Sequence, residues 1–144
     1  GTGATVIGPV SGGAVTHGGV GLTFGLVVMA RSYALGDVSS AHLNPAVTIG
    51  FWAALRLPGA QVAPYIASQS AGALVASGAL RFLFPTNATL GGTVPAGAAS
   101  QSFVLELILT FILMFVILAV STGAKERGIT AGIAVGGTIA LEAL

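Results

Sequence analysis

Long apolar blocks separated by short polar turns make up most of this chain, and their lengths predict its elements. Residues 18–35 form the first complete block, with Gly21-x-x-x-Gly25 as a small-residue contact face and Arg31 and Tyr33 near its far end. Residues 59–84 form the second, which carries Ala63, Ala67 and Ala71 at spacing four and ends near Arg81, a side chain able to snorkel to the interface. The third, about residues 101–121, is the most apolar part of the chain and is interrupted by Glu106. The last, residues 128–144, opens on Gly128, Gly132 and Gly136. A helix needs about 20 apolar residues to cross a hydrocarbon core of about 30 Å, so these blocks are predicted membrane spans. Ahead of them, Gly1 to Gly8 is too short to span and is the expected tail of a helix, while Pro9-Val10-Ser11-Gly12-Gly13 has the composition of a loop.

One stretch between the first two blocks breaks the pattern. Ser39-Ser40-Ala41-His42-Leu43-Asn44-Pro45-Ala46-Val47-Thr48-Ile49-Gly50 is a polar turn that runs straight into an apolar helix start. Asn44 is a good N-cap, and Pro45 suits the first helical position, where its missing N–H costs nothing. The half-helix predicted over residues 44–55 has an apolar run of about ten residues, roughly 15 Å of helix and half of a crossing. Arg56-Leu57-Pro58-Gly59 ends it, with a cation near the helix C-terminus followed by Pro and Gly. A half-helix inside a bilayer needs irregular backbone before it, and such backbone survives only where protein buries it or water lines it. The pattern therefore predicts a re-entrant segment beside a pore.

Composition narrows the classes. With 54% hydrophobic residues, 6% charged and a mean hydropathy of +0.96, the chain is no ordinary soluble domain, in which about 25% is charged. Its 22 glycines among 144 residues permit close helix contact, so a tightly packed bundle is expected. A net charge of +1 gives no electrostatic case for nucleic acid as a partner. Cysteine is absent, and two histidines with scattered carboxylates assemble no nucleophile, base or metal set, so neither an enzyme nor a cofactor or metal site is expected.

Arg31, Arg56, Lys125 and Arg127 fall on the side shared by the Asp37 and Lys125-Glu126-Arg127 loops, which makes that side cytoplasmic. The Pro85–Ala99 loop is then outside, and its Asn87-Ala88-Thr89 fits a glycosylation pattern that is common by chance. In this orientation the half-helix enters from the cytoplasm and aims Asn44 at the membrane centre. The chain opens on Gly1-Thr2-Gly3-Ala4 without Met or a basic segment, as an excerpt of a longer protein would.

His42-x-Asn44-Pro45-Ala46-Val47-Thr48 resembles the first Asn-Pro-Ala motif of the aquaporin and glycerol-facilitator family, the major intrinsic proteins. Gly1-Thr2-Gly3-Ala4 is similar to the end of that family's first span and Glu106-x-x-x-Thr110 to the start of its fourth, and the spacing of the blocks agrees. The resemblance implies an all-α membrane fold, an aquaporin-like right-handed helical bundle with a re-entrant half-helix. Residues 1–144 would be a single, incomplete transmembrane domain, from the end of span one through most of span five, without the second Asn-Pro-Ala, its following Arg and span six. A lipid bilayer, the cell membrane in particular, and a homotetramer are the implied setting. The lead-in Gly36-Asp37-Val38-Ser39-Ser40 departs from the family's Gly-His-Ile-Ser-Gly. If that last glycine serves a positive φ, Ser40 is strained there by about 1–3 kcal/mol.

Functionally, the resemblance implies a passive channel for water and small neutral solutes such as glycerol. The carbonyls of Ser40, Ala41, His42 and Leu43 would line one wall, the Asn44 amide would donate to the passing oxygen, and the half-helix N-terminus, worth about half a positive charge, would disfavour cations and protons. Phe24 would be the span-two member of the selectivity constriction and Ala143 the span-five member. A small residue there implies a wider filter, closer to glycerol facilitators or plant nodulin-26-like members. Glu106, costing about 2.5–3.5 kcal/mol within a span, would brace backbone N–H groups of a re-entrant loop together with Thr110. Simpler readings stand beside these: Phe24 as a packing or lipid-facing aromatic, His42 as a structural hydrogen-bonding group or a pH sensor, His17 and Glu142 as solvated side chains. Two other functions also stand: an inert fragment of such a channel, and a secondary transporter, which would carry ionisable groups beside its broken helix, where only Glu106 offers one.

Overall fold

The computed structural model describes residues 2–121 and 129–144, with side chains in the second stretch from residue 130 onward. The predicted Lys125-Glu126-Arg127 turn and Gly128 lie outside the described residues. In chain order the helices are α1 (Thr2–Val10), α2 (His17–Ser39), α3 (Pro45–Ala53), α4 (Gly59–Leu83), α5 (Ala99–Val120) and α6 (Ile129–Glu142). No strand occurs among the described residues.

Several helix ends differ from the sequence expectation, and in α1 and α2 the reasons are local. α1 carries Pro9 inside its last turn, where its nitrogen makes no helical hydrogen bond and the helix stops one residue later. The chain then turns at Gly12 and Gly13, with φ of 66° and 86°. α2 starts at His17, one residue after Thr16, whose hydroxyl oxygen accepts from Gly19 N–H at 3.2 Å, so His17 opens a helix instead of sitting in a loop. It is also not simply solvated, since its Nε2 lies 2.8 Å from the Leu144 carbonyl oxygen. At its other end α2 continues through Asp37 to Ser39, because nothing in Gly36-Asp37-Val38 stops it before Ser40 turns left-handed at φ 53°.

The bundle is organised by two contacts. α2 and α6 cross on glycines: a methyl group on Gly25 would meet the Gly136 carbonyl oxygen and stand 2.6 Å from Ala140 Cβ, and one on Gly21 would stand 3.2 Å from the Ala140 carbonyl oxygen. Small residues at both surfaces let the backbones touch, which is how helices gain van der Waals contact in lipid. The second contact is the short α3, wedged between α4 and α5. Val47, Phe51, Leu57, Leu113 and Ile117 form its buried core, flanked by Val62, Met114, Val135 and Ile139. Outside these contacts apolar surface is open: Phe103, Leu107, Phe111 and Phe115 repeat at spacing four along α5, all exposed, as a lipid-facing stripe requires. α2 and α5 are long and apolar enough to cross a membrane.

Ala63, Ala67 and Ala71 all lie on an exposed face of α4, which buries no residue fully. The face that α4 turns inward carries Val62, Tyr65 and Gln69.

Candidate functional site

Everything between α2 and α4 is a loop and a half-helix held from behind. α3 has nine residues, about 13 Å at 1.5 Å per residue, so it covers less than half of a hydrocarbon core. Asn44 is its N-cap in extended conformation, with Oδ1 accepting from Ala46 N–H at 2.8 Å, and Pro45 follows at the first helical position. That cap decides which way the amide points: its oxygen is occupied, so Asn44 offers its NH2 outward. The helix ends at Ala53, two residues before the predicted end at Leu55. Leu55 turns left-handed at φ 58°, Arg56 N–H donates to the Phe51 carbonyl at 2.8 Å and Leu55 N–H to the Trp52 carbonyl at 2.9 Å, a Schellman closure with leucine in the usual glycine place.

The lead-in loop is strained at Ser40, where the sequence predicted it, and also at Ala41, where it did not. Ser40 has φ 53° and Ala41 φ 48°, a region that costs L-residues roughly 1–2 kcal/mol each. The strain turns the chain back into the bundle within five residues of α2, and α4 holds it there. The Tyr65 hydroxyl donates to the Ser39 carbonyl oxygen at 3.0 Å. Gln69 Nε2 donates to the His42 carbonyl oxygen and, at 2.9 Å, to Thr48 Oγ1. Thr48 in turn donates its hydroxyl hydrogen to the Asn44 carbonyl oxygen at 3.2 Å.

Of the four carbonyls expected to line a path, that of His42 therefore already accepts one bond, with its second lone pair left over. Those of Ser40, Ala41 and Leu43 accept none among the described residues. His42 is 5% exposed, stacked on Phe51 with ring centroids 4.3 Å apart and tilted against Tyr65 at 5.2 Å. Its hydrogen bond is thus made by the main chain, and its ring is held by aromatic contact. Asn44, Pro45 and Ala46 are exposed beside this loop. On the α2 C-terminal side the loop borders a cavity of about 1240 Å³ lined by Ser32, Asp37, Ser40, His42, Arg56, Gln61 and Tyr65, among others.

The remaining predicted residues lie elsewhere. Phe24 is half-buried on α2, and the Ala143 carbonyl oxygen would stand 3.3 Å from a methyl group on Gly21, so both positions belong to the same end of the α2–α6 pair. Glu106 is exposed on α5 with Thr110 half-buried one turn on. Among the described residues the re-entrant loop takes its bonds from α4, not from this pair. Glu142, expected to be solvated, is half-buried, with Oε1 enclosed and Glu106 within electrostatic range.

Tyr65 and Gln69 escape a reading of motifs because neither belongs to one. Their signal is a pair of large polar side chains four apart inside an apolar block, on the same helical face as Val62.

Comparison with known proteins places this geometry. The family model for Major intrinsic protein matches residues 1–144. Aquaporin NIP1-4 of Oryza sativa subsp. japonica is 50% identical over 133 residues, 92% of this chain and 49% of that protein. Aquaporin NIP1-1 of the same plant is 47% identical over 145 residues, 100% of this chain and 51% of that protein. Nodulin-26 of Glycine max is 44% identical over 131 residues, 90% of this chain and 48% of that protein. The chain spans about half the length of these relatives, which fall on the plant nodulin-26-like side of the resemblance. With its capped half-helix, its strained lead-in and its glycine crossing, this all-α membrane protein belongs to the major intrinsic protein family.

Proposed function

We propose that the intact protein is a passive channel for water and small neutral solutes such as glycerol, and not an enzyme. The observation that carries this reading is the nine-residue α3 with Asn44 at its head and a polar loop pinned before it. A solute leaving water must have its lost hydrogen bonds replaced, and unused carbonyls of Ser40, Ala41 and Leu43 supply acceptors while the outward Asn44 amide supplies a donor. The positive end of α3 at Asn44 disfavours cations and protons at that level. Coupled transport is disfavoured because Asn44 and the four loop carbonyls have no ionisable ligand among them save the enclosed His42 ring.

In this reading α2, α4, α5 and α6 are spans and α3 a half-span of one domain. The loop enters from the cytoplasmic face of the cell membrane, and the protein assembles as a homotetramer in the bilayer. Phe24 and Ala143 form two corners of the selectivity constriction, and Glu106 with Thr110 braces backbone N–H groups of a re-entrant loop in the intact protein. The test is reconstitution of the full-length protein: glycerol efflux well above that of empty liposomes, with no ionic current across a planar bilayer, supports the reading. Ionic current without glycerol efflux would overturn it.

A further inference from the structure

Gln69 touches the loop on both sides of Asn44. Its amide nitrogen donates to the His42 carbonyl oxygen, two residues before Asn44, and to Thr48 Oγ1, four residues after it. The orientation of the amide is fixed chemically, since a carbonyl oxygen only accepts and the atom facing it must be nitrogen. Both N–H bonds of the amide are then spent. Thr48, already accepting from Gln69, sends its own hydrogen to the Asn44 carbonyl oxygen at 3.2 Å. A chain of donors thus runs from the middle of α4 through Thr48 to the main chain of Asn44. Thr48 is 0% exposed, so water does not readily replace its bond to Gln69. One turn earlier on the same face, Tyr65 holds Ser39, which pins the start of the loop as Gln69 pins its end.

We propose that Gln69 is a positioning residue for solute passage, resting on the channel function proposed above. It ties the loop before Asn44 to the half-helix after it, and so fixes the angle at which the Asn44 amide and the loop carbonyls meet a solute. Few side chains can do this. Glutamate sets an acceptor against the His42 carbonyl and competes for the Thr48 hydrogen, asparagine is one methylene short, and an apolar residue leaves the His42 carbonyl and the Thr48 oxygen without their donor.

The test measures permeability per inserted channel for the full-length protein in liposomes, with water and glycerol as the probes. Gln69→Glu and Thr48→Val, which remove the donor and the relay at nearly constant volume, are each expected to lower permeability at least about fivefold, the lower end of what an orphaned buried partner costs an equilibrium. Both are also expected to change the glycerol-to-water ratio, and Thr48→Ser, which restores the hydroxyl, to recover most of the loss. A lowered thermal midpoint with permeability per channel and ratio unchanged means that Gln69 only holds the fold, and overturns the proposal. If Gln69→Glu does not insert, the comparison of Thr48→Val with Thr48→Ser decides by the same criteria. The unmodified protein is measured first: if it passes neither solute, the channel reading fails and the positioning role with it, before any variant is compared.

Discussion

Replacing Gly136 and replacing Gly137 by alanine is the same chemical change one residue apart on α6, yet the two should move stability in opposite directions. A methyl group on Gly136 would stand 2.7 Å from the Gly25 carbonyl oxygen, 2.7 Å from Met29 Cβ and 3.2 Å from Met29 N. Comfortable carbon contacts begin near about 3.5 Å. The obstacles are main chain and a Cβ, which no rotamer change removes, so α2 and α6 must move apart. Overpacking of this kind costs about 1–3 kcal/mol, against at most about 1 kcal/mol that alanine gains over glycine in a helix. At Gly137 such a methyl group has nothing within 4 Å among the described residues, so only the gain remains. The two variants should differ by about 1–3 kcal/mol, several degrees in the thermal midpoint of a protein of this size. The assay is thermal unfolding in detergent, followed through the single Trp52. Equal shifts in the same direction would mean that α2 and α6 do not cross on Gly25 and Gly136.

Three further substitutions probe the site. Ser40→Gly should stabilise by about 0.5–1 kcal/mol in the same unfolding assay, the relief of a left-handed serine less the entropy of glycine; a destabilised variant would show that φ 53° is not held in solution. Asn44→Asp keeps an oxygen to cap Ala46 N–H and should leave the midpoint within about 0.5 kcal/mol, while loss of the outward donor lowers water and glycerol permeability about tenfold. A variant that is both stable and fully permeable would remove the Asn44 amide from the path. Ala143→His should narrow the constriction and add a donor, so glycerol flux falls while water flux persists. If the unmodified channel already excludes glycerol, Ala143 does not set the limit.

What the sequence disclosed and what it hid divide along a physical line. Asn44-Pro45 announces a helix start because capping is local chemistry, and the glycines of residues 21, 25, 132 and 136 announce a close crossing because only a missing Cβ permits it. Ser40 in place of glycine could likewise be read as strain, and its φ of 53° bears this out. The end of α3 was less visible: Arg56-Leu57-Pro58-Gly59 carries obvious stop signals, but the chain stops earlier, at a leucine forced left-handed by its own hydrogen bonds. The inward face of α4 was not legible. In a bilayer small residues suit lipid-facing surface as well as contact, so the alanine stripe carried no direction, while Gln69 acquires its meaning only from two acceptors that are 27 and 21 residues away. Glu142 looked solvated because its enclosure depends on packing that no local pattern encodes.

The central claim is that solute passes Asn44 down its own gradient, without a coupled ion. Stopped-flow light scattering on liposomes that hold the full-length protein tests it most directly, with glycerol flux recorded at matched and at opposed pH across the membrane. Passive passage predicts flux above empty liposomes that follows the glycerol gradient alone and is the same in all pH arrangements. Flux that follows an imposed proton gradient, or accumulation of glycerol against its own, would contradict it.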